Sequence, residues 1–164
     1  MCKETSKEKP ISKYKEAVKR LTKEYPYFEG IDSGKAFLFG PVDDDDDGCP
    51  WIGKGSDEDP FVLGVTTLGL LSKVNQLRGN KHFRLFHTDV TFKLSDLGYP
   101  VVSCGYTDRS RVYHLAASVI VSARTHREYE IACDSVAKVY ERLFQTTLRI
   151  DVVRKQPNLK YFGA

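Results

Sequence analysis

Residues 84–94 read RLFHTDVTFKL. Alternating side chains make this a β-strand, with Phe83, Leu85, His87, Asp89 and Thr91 on one face and Arg84, Phe86, Thr88, Val90 and Phe92 on the other. Asp89 sits near its middle, although Asp is depleted from strands. A carboxylate buried there without partners is strongly destabilising. The Asp89 face runs from apolar to polar along the strand, as if leaving a core and reaching an open site.

Downstream, YPVVSCGYTD (99–108) is rich in β-branched and aromatic residues, and RVYHLAASVIVSA (111–123) follows a short polar link, Asp108-Arg109-Ser110. Short links between apolar runs favour antiparallel neighbours. THREYEIACDSVAKVYERLF (125–144) opens with Thr125 and Glu128 in the spacing of a capping box. Tyr129, Ala132, Val136, Tyr140 and Leu143 then form one apolar helical stripe. TLRIDVV (147–153) has the texture of a fourth strand. The expected architecture is α/β: three antiparallel strands, a crossover helix and a possible fourth strand, with helices ahead of them.

Upstream, PFVLGVTTLGLLSKVNQL (60–77) is mostly apolar with a helical tail, and a helix is expected around 64–76, although Gly64 and Gly69 weaken it. Residues 12–25 space Tyr14, Val18, Leu21 and Tyr25 as an amphipathic helix ended by Pro26. Between them, 28–59 is rich in Gly, Asp and Pro and reads mostly as loop, with room for one short strand at KAFLFG. These textures divide the chain into a basic helical segment (1–27), an acidic linker (28–59), a folded unit (60–153) and a tail (154–164).

The net charge of +3 over 164 residues hides a segregation. Residues 1–24 carry eight Lys/Arg against four Glu, residues 25–59 two Lys against ten acids, and residues 60–164 fifteen Lys/Arg against eight acids. A basic folded part is compatible with a nucleic-acid partner. The run Asp43 to Asp47 lacks the spacing of a calcium loop and reads as solvated. No apolar stretch is long enough to cross a bilayer, and MCKETSKEKP lacks the apolar core of a secretory signal. Cys2, Cys49, Cys104 and Cys133 are scattered with no CxxC pair, which argues against a zinc site or disulfide framework and for a reducing compartment. A soluble intracellular protein is expected.

An ionised Asp on an open strand end suits a hard, oxygen-preferring cation such as Mg²⁺. The plainer alternative is that Asp89 pairs with Lys93 or His87, or accepts a hydroxyl from Thr88 or Thr91. Asp96 and Asp108 fall where turn acids bond nearby backbone. Glu128 reads as the capping acid, and His87 and His114 as hydrogen-bonded structural residues. No P-loop spacing occurs.

The segment FHTDVTFKLSDLGYPVVSCGYTDRSRVYHLAASVIVSARTHREY (86–129) resembles the start of the catalytic domain of Mutator-like element (MULE) transposases. It shares with them a D-x-T-x-K strand, GYP with a hydrophobic strand, a D-x-x-x-x turn and a Y-H-x-x-A strand. DEDPFVLGVTTLGLLSKV (57–74) is similar to the segment preceding that domain, so the likeness covers roughly 57–145. The resemblance implies a ribonuclease-H-like fold of the DDE/DDD type, nuclear location, a DNA substrate, and cleavage and strand transfer by two Mg²⁺ or Mn²⁺ ions about 3.5–4 Å apart. Its first catalytic carboxylate maps onto Asp89. The family's second Asp ends the fourth strand; Asp151, the nearest counterpart, sits inside an apolar run. The family's third acid, on a later helix, has no counterpart in TTLRIDVVRKQPNLKYFGA. The resemblance therefore implies a partial metal site, inactive alone. The other reading is a non-enzymatic module that binds DNA, or a protein, through Arg109, Arg111, Arg124 and Arg127.

Overall fold

The β-branched and aromatic runs pair into one antiparallel sheet. The computed structural model describes residues 11–27, 30–43, 49–76, 85–91, 98–123 and 125–148. Its elements are α1 (Ile11–Glu24), β1 (Ala36–Phe39), β2 (Val42–Asp43), β3 (Pro50–Trp51), β4 (Val62–Thr67), α2 (Leu68–Gln76), β5 (Leu85–Thr91), β6 (Val101–Thr107), β7 (Tyr113–Val121) and α3 (His126–Phe144). Five strands form a sheet in the order β1-β4-β7-β6-β5, every neighbouring pair antiparallel, while β2 and β3 make a separate two-stranded ribbon.

Alternation sends each strand's side chains to two different cores. Phe37, Phe39, Val62, Val119 and Val121 join Leu71 and Val74 of α2 and Ala132, Val136, Val139 and Tyr140 of α3. Leu38, Leu63 and Ile120, the residues between them, join Val18 and Tyr14 of α1. Two helices thus cover one face and α1 covers part of the other. Tyr140 is fully buried, and its hydroxyl donates to Asn75 Oδ1 at 2.8 Å, tying α3 to α2.

The sheet departs from expectation in two places. Residues 64–67, expected to open a helix, instead belong to strand β4, and the helix begins only at Leu68. A strand buried on both faces is continuously apolar and carries no period that separates it from a buried helix. Thr67 makes the boundary: its Oγ1 accepts the Leu70 N–H at 3.1 Å, as a helix cap does. The stretch 28–59, expected as a linker with room for a short strand at KAFLFG, forms that strand as β1 but also carries the buried Ile31, Phe37, Phe39, Cys49 and Ile52. It belongs to the same body as the sheet. The helices at 12–25 and 125–144 and the strands within 81–94, 99–108 and 111–123 form as expected. The possible fourth strand (147–153) and the tail fall mostly or wholly outside the described residues.

Gly64 explains how β1 and β4 lie together. It pairs with Phe39, whose ring crosses it; a Cβ at Gly64 would meet that ring at 2.2 to 2.5 Å. Gly64→Ala should therefore cost about 1–3 kcal/mol in urea denaturation. Combining it with Phe39→Leu should cost less than the sum of the two single changes, since the smaller side chain vacates the contested space. Strict additivity would show that the ring does not rest on the glycine.

Candidate functional site

The part of the sheet that α1 leaves open is the site to consider. On β5, Phe86 and Val90 pack toward the core shared with α2 and α3, whereas Asp89 is exposed on the opposite face. Its register partner is Ser103 on β6, which in turn pairs with Ser118 on β7. Among the described residues the carboxylate takes neither His87 nor the hydroxyl of Thr88 or Thr91 as a partner, and Lys93 lies outside them. Asp89 Oδ1 accepts the N–H of Val90 at 2.9 Å.

Beside it, Gly105 opens a path across the sheet. A Cβ there would sit 2.5 Å from the Tyr113 hydroxyl and from the His114 carbonyl, so only glycine lets the Tyr113 ring cross β6. The ladder is irregular between Cys104 and Gly105. Tyr113 reaches toward β5, where His87, the partner of Gly105, meets it edge-on with centroids 6.3 Å apart. Partial burial raises the Tyr113 phenol above its ordinary pKa, and the negative charge of Asp89 adds to that. His87 Nε2 is buried without a hydrogen-bond partner among the described residues, so the structural hydrogen bond expected for His87 is not made at that atom. Asp89, His87 and Tyr113 thus share one partly open face. Tyr113 and Gly105 were not singled out in sequence, where the available signal was a glycine and an aromatic placed either side of one hairpin.

His114 does form the structural bond expected of it. Its Nε2 lies 2.8 Å from Asp108 Oδ2, and Tyr106 stacks on the ring at 4.9 Å. Asp108 is the turn acid, accepting the Val112 N–H at 3.1 Å. Arg111 occupies the left-handed region (φ 64°) to close this hairpin. Glu128 is a buried capping acid that accepts the Thr125 N–H at 3.2 Å.

The sequence-predicted basic residues do not gather around Asp89. Arg109 and Arg111 are exposed on the β6–β7 turn, beyond the Thr107–Tyr113 pair. Asp89 faces Ser103, four residues back along β6, roughly 13 Å away at strand spacing. Arg127 is engaged elsewhere, donating to the carbonyls of Asp57 (2.8 Å) and Glu58 (2.6 Å). Arg124, Asp96 and Asp151 lie outside the described residues. A cleft of about 350 Å³ between β1 and α3, lined by Gly40, Lys138 and Arg142, is at the other edge of the sheet. Among the described residues no three His, Cys, Asp or Glu side chains come together as a metal site requires, and no helix is long and apolar enough to cross a membrane.

The Asp108–His114 pair makes a pH prediction. The hydrogen bond from His114, helped by the Val112 N–H, holds the Asp108 carboxyl below its ordinary value. A carboxyl more acidic in the folded state stabilises the fold above the unfolded value, about 3.9, and that contribution disappears as pH falls through the folded value. An NMR titration should place the Asp108 midpoint below that of free Asp, and His114→Ala should move it upward. An unmoved midpoint would mean that the imidazole does not govern this carboxyl. No protein-family model, curated protein or solved structure matches this chain.

Proposed function

We propose that this chain is part of a MULE-type DNA transposase, with β5, β6, β7 and α3 as the opening of a ribonuclease-H-like domain and Asp89 as its first catalytic carboxylate. The observation that carries this reading is the placement of Asp89. It stands on the first strand of a three-stranded antiparallel meander followed by a helix, and it faces solvent rather than the core. The order and spacing of the motifs over 86–129 support it.

The described residues do not fit the pair of divalent ions that such chemistry uses. One carboxylate does not suffice to hold a pair of cations, and Asp89 belongs to no group of three His, Cys, Asp or Glu side chains among the described residues. His87 and Tyr113 are its neighbours, and neither supplies the hard oxygen ligands that Mg²⁺ prefers as a carboxylate does. Asp89 is left with the capacity to hold one Mg²⁺ or Mn²⁺ ion weakly, and DNA cleavage by this chain alone is not expected. A second reading, a non-enzymatic nucleic-acid module, is favoured by the exposed Arg109 and Arg111 at the tip of the hairpin. Contacts of that kind go to phosphates and are sequence-tolerant.

Purified protein incubated with end-labelled duplex DNA and Mg²⁺ or Mn²⁺ should leave the DNA intact. Mn²⁺ should nevertheless broaden the amide resonances of β5, and Asp89→Asn should abolish that broadening. Nicking that vanishes in Asp89→Ala would overturn the claim of inactivity, and broadening indifferent to residue 89 would remove Asp89 from the site. For the second reading, mobility shifts at low salt should weaken steeply as salt rises and with Arg109→Ala and Arg111→Ala.

A further inference from the structure

The hairpin joining β6 to β7 carries two cations and an exposed ring on a pinned frame. Asp108 does the pinning: its N–H donates to the Val112 carbonyl at 3.1 Å, its carbonyl accepts from the Arg111 N–H at 3.0 Å, and its Oδ1 accepts from the Val112 N–H at 3.1 Å. Arg111 closes the turn in the left-handed region, where glycine or asparagine would sit more cheaply. Arg109 and Arg111 are both exposed there. Val112 and Tyr113, which follow, keep 50% and 47% of their surface in water, and Tyr113 belongs to neither apolar cluster. Its ring is nevertheless held. It lies over Gly105, whose missing side chain leaves the space, and His87 meets it edge-on.

We propose that this hairpin and the adjoining face of β5 bind single-stranded nucleic acid, an unpaired base stacking on Tyr113 while Arg109 and Arg111 hold the flanking phosphates. The inference rests on the second reading above and makes it specific. Bases inside a duplex are stacked on both faces, so an aromatic ring held out on a sheet selects unpaired strands. Every base has a face to offer, which makes such binding tolerant of sequence. Arg111 stands two residues from Tyr113, about 7 Å along an extended chain, within reach of the backbone of a base stacked on the ring. Asp108, the acid of the turn, is occupied by His114 and the Val112 N–H and does not neutralise the arginines as a free carboxylate would. Asp89, farther along the same face, repels phosphate and so orients the strand with its backbone toward the turn. Charge favours an anionic partner, since residues 60–164 carry fifteen Lys/Arg against eight acids. Two exposed apolar side chains are too few for the desolvated centre of a protein interface.

The test uses the full chain with a labelled oligothymidylate, an oligouridylate of equal length, and a duplex of the oligothymidylate with oligoadenylate, read by fluorescence anisotropy at low salt. The single strands should bind more tightly than the duplex; a preference for either one sustains the proposal and names the sugar. Tyr113→Leu should weaken single-strand binding roughly 5- to 100-fold and leave the duplex value unchanged, whereas Tyr113→Phe should bind as the parent. Arg111→Gly, which suits the left-handed backbone and so keeps the fold, should weaken both and flatten the salt dependence. Independently of any variant, an iodouracil-bearing strand should photo-cross-link to Tyr113 in the parent chain. No binding to any of the three would end the second reading and this inference together. A duplex bound as tightly as the single strands, indifference to Tyr113→Leu, or a cross-link confined to other residues would overturn this inference alone. A dimer in sedimentation that Tyr113→Leu dissolves would give the face to a second copy of the chain and overturn it as well.

Discussion

Strand β7 is hydrogen-bonded along both edges, to β4 on one side and β6 on the other, and this double pairing organises the molecule. A central strand leaves no backbone group for water, so its residues must be apolar toward whatever covers each face. Val119 and Val121 meet α2 and α3, and Ile120 meets α1. Toward its start the strand meets different demands. Tyr113 and Ser118 lie over the part of the face that no described helix covers, and there the sheet becomes polar enough to expose Asp89.

Helix α3 straps this sheet at three points along its length. Arg127 holds the carbonyls of Asp57 and Glu58, Lys138 donates to the Pro41 carbonyl at 3.0 Å, and Tyr140 bonds Asn75. A guanidinium suits two carbonyls because its donors diverge in one plane. Charges that composition assigned to a nucleic-acid surface therefore have, in Arg127, a structural employment. Net charge describes the long-range field of a domain and does not show which cations are committed to their own backbone.

Much of the fold was legible because several local signals agreed. The Thr125–Glu128 box and the stripe Tyr129, Ala132, Val136 and Tyr140 marked α3 twice over, and β6 and β7 combined β-branched content with a tight turn. Alternation separated Asp89 from Phe86 and Val90, and the run from apolar to polar along its face pointed to an open end. The rest depended on information that a local window lacks. Val62–Thr67 is buried on both faces and has no period to read. The short strand at KAFLFG was legible, but nothing local showed that Phe37 and Phe39 enter the main core. The crossing of Gly105 by Tyr113 depends on strand register, which no spacing along the chain encodes.

The pairing of β1 only with β4 bears on how the protein emerges during synthesis. Ala36–Thr67 closes a two-stranded unit early, but such a pair is marginal in water by itself. Its missing partner, β7, pairs Val62 with Val121 and follows α2, β5 and β6 along the chain. Phe37, Phe39 and Val62 must wait until then for the surfaces that bury them. The segment 36–67 is thus a passenger of the later meander, and a nascent chain halted before residue 121 presents an unsheltered apolar ribbon to the cell's chaperones.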